Sequence, residues 1–141
     1  MTGDRVDIRV IYADTDAMGI VYHANYIKWF EVGRTELLRA RGIAHAEVAP
    51  LGLALPVTRA YCHYLLPSRL DQVLAVLTTL SYVKRASLKF AYQIWDEALT
   101  ERRAEGYTVH ACTDPAGRVV RLPEVLMERL RPFAESARPG S

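Results

Sequence analysis

Residues 12–39 have the sequence YADTDAMGIVYHANYIKWFEVGRTELLR, in which an irregular segment leads into a long amphipathic one. The irregular part, residues 13–22, contains two aspartates and one glycine, a composition typical of a tight connection. From about His23 to Arg41 the pattern is helical, and one stripe of the helix carries Ile27, Phe30, Gly33, Leu37 and Ala40. Gly42 follows, and a glycine at this place predicts the end of a helix. This stretch therefore predicts one long helix that begins directly after a tight loop.

Extended segments flank the helix on both sides. One strand, Asp7–Tyr12, is predicted before the loop, and four more are predicted after the helix at residues 56–65, 73–84, 87–95 and 103–113. Both faces of residues 73–83 are apolar, so both should be covered. The sequence Asp-Pro-Ala-Gly at 114–117 predicts a turn, followed by a short strand at 118–122 and a short helix at 124–131 that Pro132 ends.

This order of elements determines the fold class. Successive strands with short connections pair antiparallel, and one long amphipathic helix is suited to cover one face of such a sheet. The sequence thus predicts an α+β fold, with an antiparallel sheet of five or six strands wrapped around one long helix. Residues 1–134 are expected to form a single domain, with residues 135–141 as a flexible tail. The uncovered face of the sheet calls for another subunit.

The composition is that of one compact domain: the chain has 141 residues, half of them apolar, with 18 Lys and Arg against 16 Asp and Glu. A net charge of +2 is too small to predict a nucleic-acid or membrane partner. Cys62 and Cys112 lack the spacing of a zinc site or a disulfide framework. Charges at the amino terminus argue against a secretion signal, and the longest apolar run, Val73–Leu77, is too short to span a bilayer. We therefore expect a cytoplasmic protein with no transmembrane segment.

Two aspartates, Asp14 and Asp16, lie a few residues before the predicted helix. A helix N-terminus presents backbone N–H groups without partners, and these groups stabilise an anion or a developing oxyanion. A carboxylate held opposite such donors is suited to act as a general base or nucleophile on a carbonyl group. The alternative is structural: aspartates near a helix start commonly cap it, and on spacing alone capping is the commoner role.

The motif D-T-D-x-x-G-x-V-Y-H-x-N-Y, followed by W-F-E-x-x-R-T-E-L-L-R, resembles acyl-CoA thioesterases of the 4-hydroxybenzoyl-CoA thioesterase class, and in particular their YbgC-like subgroup. The resemblance extends from about Arg5 to Arg131. It implies a hotdog fold, in which the sheet wraps the long helix and two subunits pair as a homodimer, with further association into a homotetramer. It also implies an acyl-CoA substrate, short-chain or aromatic, and no metal or other cofactor.

The resemblance assigns roles to individual residues of the motif. Asp16 matches the catalytic carboxylate, which attacks the thioester itself or activates a water, whereas Asp14 is expected to position the loop. Gly19 and the backbone N–H of His23 match the part that binds the thioester oxygen at the helix N-terminus. Tyr22 and the His23 side chain lie beside this place, and we expect His23 to orient the substrate or to influence the protonation of Asp16.

Glu31 matches an acidic position on the helix that faces the acyl pocket in some members of the family. Helical spacing offers a second interpretation, because Glu31 is also placed to pair with Lys28 or Arg34 at the protein surface. Both interpretations remain open at this point.

Three basic residues, Lys84, Arg85 and Lys89, cluster around a predicted turn between two strands, where the family has residues that contact the nucleotide end of coenzyme A. Their side chains are suited to bind phosphate groups. The chain has fifteen Arg and only three Lys, and this excess is consistent with an anionic ligand. The alternative is a solvated hairpin turn.

Two other functions are compatible with parts of this pattern. A hydratase or dehydratase of the same fold needs a histidine with a carboxylate at the β-carbon, and the Asp16 motif argues against it. A non-catalytic acyl-thioester-binding protein, or an interaction protein of an envelope complex, would retain the fold without the activity. The remaining histidines, His45, His63 and His110, have no motif around them and are expected to be surface or strand residues.

Overall fold

The computed structural model describes residues 3–43 and 52–135 of the chain, and these residues form five strands and two α-helices. In chain order the elements are β1 (Asp4–Arg9), α1 (Ala24–Ala40), β2 (Val57–Tyr64), β3 (Val73–Val83), β4 (Ser87–Asp96), β5 (Arg102–Ala111) and α2 (Glu124–Leu130). The predictions for His45 and for the tail beyond Glu135 lie outside the described residues.

The five strands form one sheet in the order β1-β3-β4-β5-β2, and every neighbouring pair is antiparallel. The register places Thr78, Tyr92, Gly106 and Cys62 in one row across the four strands from β3 to β2. This sheet and the long helix α1 confirm the predicted α+β architecture of an antiparallel sheet on one helix. Strands β1 and β2 are the two edges, and seven of the eight residues of β2 are exposed.

The core lies between α1 and one face of the sheet. Strand β4 alternates as predicted, with Leu88, Phe90, Tyr92 and Ile94 buried beneath the helix. The Phe30 ring stacks on the Tyr92 ring with centroids 4.2 Å apart. One turn further along, Gly33 approaches Thr78 so closely that an added Cβ would collide with the Thr78 Oγ1. Helix and sheet therefore meet at a position that only glycine fits.

A chain of three polar side chains crosses this core. The Tyr92 hydroxyl lies 2.6 Å from Thr108 Oγ1, which lies 2.8 Å from His110 Nε2, and His110 Nδ1 lies 2.9 Å from the Leu55 carbonyl oxygen. A carbonyl oxygen only accepts, so Nδ1 carries a proton. With a neutral imidazole, Nε2 then accepts from Thr108, and Thr108 accepts from Tyr92. Burial, the largest cause, and the nearby Arg34 lower the pKa of His110, so the ring is neutral.

Two strand predictions are corrected. Strand β1 is Asp4–Arg9 rather than Asp7–Tyr12, because Tyr12 begins a short 3-10 turn. Residues 118–122 do not form a strand, and this segment has one isolated bridge, between Thr113 and Val119. The physical reason is that β5, the preceding strand, already pairs with β4 on one side and with β2 on the other, so it has no free edge for residues 118–122 to pair with.

The helix predictions need smaller changes. The buried stripe of α1 consists of Tyr26, Trp29, Phe30, Gly33 and Leu37, so it includes two aromatic residues that were not predicted, while Ala40 is exposed. Helix α2 ends at Leu130, one residue before the predicted Arg131, and Pro132 lies inside a following 3-10 turn.

Strand β3 confirms the prediction for an apolar strand covered on both faces over its first half. All residues from Leu74 to Thr78 are buried, including Ala75 and Leu77 on the face that α1 does not cover. Across residues 3–43 and 52–135, no helix has both the length and the apolar character needed to cross a membrane.

Candidate active site

The segment between β1 and α1, residues 12–22, folds into a compact loop that we call the Asp16 loop. Thr15 and Val21 form an antiparallel bridge, and the Asp16 N–H donates to the Ile20 carbonyl over 2.9 Å. The Val21 N–H donates to the Ser68 carbonyl over 2.8 Å, which attaches the loop to the segment before β3. The backbone of the loop is therefore fixed both internally and against the rest of the protein.

Asp14 is the buried aspartate of the motif, with 4 % of its surface exposed. Its carboxylate accepts from the Ile11 N–H over 3.0 Å and from the Lys28 ammonium over 2.9 Å. Its carbonyl oxygen accepts from the Tyr22 N–H and from the Asn25 side chain, both over 2.8 Å. These contacts attach the start of the loop to the first turns of α1. They fit the expected role of Asp14 in positioning the loop.

Asp16 is partly exposed and stands at the turn of the loop. Its Oδ1 accepts from the Met18 N–H over 2.8 Å, and its Oδ2 has no hydrogen-bond partner among the described residues. Gly19 has a φ of +76°, and its N–H donates to the Asp16 carbonyl over 3.0 Å. In this structure Gly19 therefore closes the turn that holds Asp16. Its binding of a thioester oxygen stays a prediction.

The N-terminus of α1 has free donors. His23 stands at the N-cap position, and its side chain makes no capping hydrogen bond. Neither aspartate caps the helix, so the capping interpretation of Asp14 and Asp16 is wrong. Within the described part of the chain, the backbone N–H groups of His23 and Ala24 have no partner. A helix start with two unpaired N–H groups is an environment that favours negative charge.

Aromatic side chains surround this helix start. The Tyr22 and His23 rings lie 4.6 Å apart, and the Tyr64 ring meets the rings of His23 and Tyr26 edge-on, at 6.0 and 5.3 Å. Beside them lies a cavity of about 220 Å³, which we call the aromatic cavity; its lining is Ile20, Val21, His23, Tyr26, Tyr64, Leu65, Leu66 and Pro67. Burial raises the pKa of Tyr26, and partial burial with the neighbouring Cys62 raises the pKa of Tyr64 to about 12. Both hydroxyls therefore keep their protons at neutral pH.

Glu31 lies two turns further along α1 and is exposed. Its carboxylate is 3.7 Å from the Arg34 guanidinium, whereas Lys28 is paired with Asp14. This geometry agrees with the surface ion pair that the helical spacing allowed. Glu31 does not line the aromatic cavity, and its contact with an acyl group stays a prediction.

A second cavity, of about 250 Å³, lies near the other end of the helix, and we call it the basic cavity. Lys84 and Arg85 line it, together with Arg121 and Arg131. Sequence reasoning missed the last two arginines. The fold brings them in because the Leu122 N–H donates to the Arg85 carbonyl over 2.8 Å, which places the segment before α2 against the β3–β4 turn. Glu124 is the acidic member of the lining.

Apart from Glu31 on the surface of α1, the structure separates the predicted site residues into three places. Lys89 lies on the face of the sheet that α1 does not cover, with its ammonium 4.3 Å from the centre of the Tyr107 ring. The Asp16 loop lies at the Val73 end of β3 and the basic cavity at the Val83 end. Ten residues of strand span up to about 33 Å. One chain therefore does not bring Asp16 and the predicted phosphate-binding residues together.

Comparison with known sequences agrees with this fold and loop. The sequence profile of the Thioesterase-like superfamily matches residues 10–130, which include every strand but β1 and all of the Asp16 loop. The chain belongs to this superfamily. This match confirms the thioesterase family that the motif predicted.

Individual relatives are similar over most of their length. The chain is 34% identical over 123 residues to a putative esterase of Aquifex aeolicus. The matched residues cover 87% of this chain and 94% of the relative. It is 34% identical over 111 residues to the acyl-CoA thioester hydrolase YbgC of Escherichia coli O157:H7, covering 79% and 82%. Among solved structures it is similar to the DHNA-CoA thioesterase of Staphylococcus aureus, with a TM-score of 0.84, 28% identity and coverage of 91% and 86%. These similarities confirm the hotdog thioesterase fold.

Proposed function

We propose that this chain is an acyl-CoA thioesterase, which hydrolyses a short-chain or aromatic acyl-CoA to a free acid and coenzyme A. Family membership and the names of the relatives, among them an acyl-CoA thioester hydrolase, make it a thioester hydrolase. The choice of substrate and the roles of individual residues are our proposal.

One observation carries the proposal. In the Asp16 loop, one carboxylate oxygen of Asp16 has no hydrogen-bond partner among the described residues. A few residues later along the chain, α1 begins with two unpaired N–H groups. The Asp16 N–H donates to the Ile20 carbonyl, and Ile20 lines the aromatic cavity together with His23. The hydrogen bond therefore connects Asp16 to the cavity beside the helix start. Hydrolysis of a thioester is catalysed by a group that delivers the nucleophile, for which a carboxylate is suited, together with N–H donors that stabilise the oxyanion. The Asp16 loop supplies the carboxylate, and the start of α1 supplies the N–H donors.

Two routes use these groups. In the first, Asp16 Oδ2 bonds to the thioester carbon, the C–S bond breaks, coenzyme A leaves as a thiolate, and water hydrolyses the resulting mixed anhydride. In the second, Asp16 takes a proton from a water, and the hydroxide attacks the same carbon as the C–S bond breaks. In both routes the N–H groups of His23 and Ala24 are suited to receive the carbonyl oxygen as it becomes negative. A thiolate is a good leaving group, so neither route needs a metal.

The acyl group would occupy the aromatic cavity, whose wall of Tyr26, Tyr64 and His23 suits a flat or short acyl chain. The phosphates of coenzyme A would contact the basic cavity, where Arg121 and Arg131 add to the predicted Lys84 and Arg85.

The separation of these two cavities within one chain supports the proposal of a homodimer, in which one subunit supplies the loop and the other the cations. The exposed edge strand β2, with Val57 at its start, is consistent with pairing there. A homotetramer remains part of the proposal.

The test is the release of free thiol from a panel of acyl-CoA substrates by the purified protein and by Asp16→Asn. We expect wild-type turnover, and a fall in kcat of about 100-fold or more in the variant, because the amide neither attacks nor takes a proton. The matched control is Asp114→Asn, since Asp114 also accepts backbone N–H bonds in an exposed turn but lies at the other end of the sheet.

Unfolding curves for both variants separate loss of chemistry from loss of fold. Full turnover in Asp16→Asn would remove Asp16 from the mechanism. Binding of acyl-CoA by calorimetry, with no thiol release across the panel, would instead establish a non-catalytic acyl-thioester-binding protein.

A further inference from the structure

Tyr64, the last residue of the edge strand β2, has a hydrogen bond that no part of the motif explains. Its hydroxyl donates to the His23 carbonyl oxygen over 3.0 Å. The same oxygen accepts from the Tyr26 N–H over 3.3 Å, in the first turn of the helix. A side chain on strand β2, that of Tyr64, thus holds the His23 carbonyl at the start of α1 from outside the helix.

The peptide bond transmits this contact to a donor of the candidate site. The His23 carbonyl and the Ala24 N–H belong to one planar trans peptide unit and point in opposite directions. Fixing the oxygen therefore fixes the direction of the N–H. The Ala24 N–H has no partner in the described part of the chain, so it is available to a ligand. A hydrogen bond to the carbonyl also polarises the same peptide and makes its N–H a stronger donor.

The Tyr64 ring is itself held in place. It meets the His23 ring at an interplanar angle of 87° and the Tyr26 ring at 75°. Its pKa of about 12 keeps the hydroxyl protonated at neutral pH, and it donates here because the His23 carbonyl oxygen can only accept. Tyr64 also lines the aromatic cavity beside His23. Its place is therefore defined by two ring contacts, one hydrogen bond and the cavity wall.

We propose that Tyr64 is a positioning residue, which holds the His23 carbonyl so that the Ala24 N–H is aimed and polarised for the thioester oxygen. This inference rests on the proposed thioesterase function and adds to it the side chain that controls one of its donors, the Ala24 N–H. Tyr64 acts through the peptide and takes no proton in the reaction.

The test compares Tyr64→Phe with Tyr61→Phe in the full-length protein. Phenylalanine keeps the ring contacts of Tyr64 and removes only the hydroxyl. Tyr61 lies three residues earlier on the same strand, stacks on Tyr107 on the other face of the sheet, and has no hydrogen bond at its hydroxyl among the described residues. We expect kcat to fall about five- to tenfold in Tyr64→Phe, with KM nearly unchanged, because the lost interaction matters most when the oxygen carries charge. Tyr61→Phe should match wild type.

A spectroscopic measurement distinguishes positioning from a general loss of structure. If the proposed function is right, the Asp16→Asn variant binds acyl-CoA but turns it over slowly. The carbonyl stretch of bound 13C-labelled benzoyl-CoA can therefore be recorded in this variant. We expect the stretch to move to lower frequency on binding, and to move less when Tyr64→Phe is added.

Several results would overturn the inference. An unchanged kcat in Tyr64→Phe, an effect on KM alone, or an identical carbonyl stretch would each show that the Ala24 N–H does not depend on Tyr64. Loss of one limb of the pH profile, instead of an equal fall at every pH, would mean that Tyr64 transfers a proton. If the wild-type protein releases no thiol from any acyl-CoA, the proposed function itself is wrong. This result differs from the others, which all require an active wild-type protein.

Discussion

The Lys28 ammonium lies 2.9 Å from the carboxylate of Asp14, and the two groups join the buried start of the Asp16 loop to the second turn of α1. The Asp14 side chain is 6 % exposed and that of Lys28 is 51 % exposed, so the pair lies at the boundary between core and solvent. A buried carboxylate without its cation is costly, whereas a half-exposed lysine without its partner is not.

Lys28→Met should therefore lower the free energy of unfolding by about 1–2 kcal/mol, a range reduced from that of fully buried pairs because Lys28 is half-exposed. It should also lower kcat, because the loop that carries Asp16 loses an anchor. Urea denaturation and thiol-release kinetics measure the two effects. Arg39→Met is the control, since the ion pair of Arg39 with Glu36 on the same helix spans 3.7 Å and is exposed at both ends. An equal loss in both variants would mean that the Asp14 pair is no more than a surface ion pair.

Gly33→Ala should destabilise the protein by about 1–3 kcal/mol, the usual cost of overpacking. The added Cβ would collide with Thr78 Oγ1 and press on Val76. Alanine has the higher helix propensity by about 1 kcal/mol, so a destabilisation would show that packing outweighs propensity here. Chemical denaturation of Gly33→Ala, Thr78→Ala and the double variant measures the coupling between the two positions. The double variant should recover part of the loss. Purely additive effects would contradict the close contact.

The stability of the protein should decrease as the pH falls below about 6.5, the ordinary pKa of histidine. The pKa of buried His110 is lowered in the folded protein, so the unfolded chain binds the proton at a higher pH than the folded one. Stability from this group is then complete above the unfolded pKa and is lost as the pH falls toward the folded pKa, by at most about 1.4 kcal/mol per pH unit. Urea titrations of wild type and His110→Gln between pH 5 and 8 check this. The variant should be less stable at neutral pH, with a shallower slope. A slope equal to that of wild type would exclude His110 as the titrating group.

Removing arginines from the basic cavity should weaken the binding of acyl-CoA without affecting the chemical step. For Arg85→Ala/Arg121→Ala we expect KM for acyl-CoA to rise about tenfold, the size of one lost charge-assisted hydrogen bond. An acyl-pantetheine thioester lacks the nucleotide, so its KM should not change. Arg118→Ala, in an exposed turn outside the cavity, is the control. A similar rise in KM for both substrates would place the cations somewhere other than at the phosphates.

Much of the fold was predictable because its signals are local. The helical spacing from Ile27 to Leu37 and the alternation from Leu88 to Ile94 each depend on a single segment, and both elements are present. The strand predicted at residues 118–122 failed because pairing depends on the rest of the sheet. Its turn is present, with Asp114 accepting from the N–H groups of Ala116 and Arg118, but β5, the strand before the turn, has no free edge.

The candidate site was predictable to a smaller extent. The motif placed Asp14 and Asp16 together, but their different environments depend on Lys28, fourteen residues after the first of them. Tyr64 and Arg121 have no local signal at all. The first reaches the helix start from β2, and the second reaches Arg85 through a contact between distant segments. Such residues become visible only when the chain has folded.

The placement of the two cavities at opposite ends of β3 has a consequence for protein engineering. Within one chain these positions share no neighbours, and in the proposed homodimer they contact opposite ends of the substrate, so the effects of mutations at the two cavities should add. Preference for the carrier group and preference for the acyl group should therefore be adjustable one at a time. A library confined to residues around Arg85 and Arg121 would alter the first, and one confined to Tyr26 and Leu66 the second. Improved variants from the two libraries could then be combined without a new round of selection.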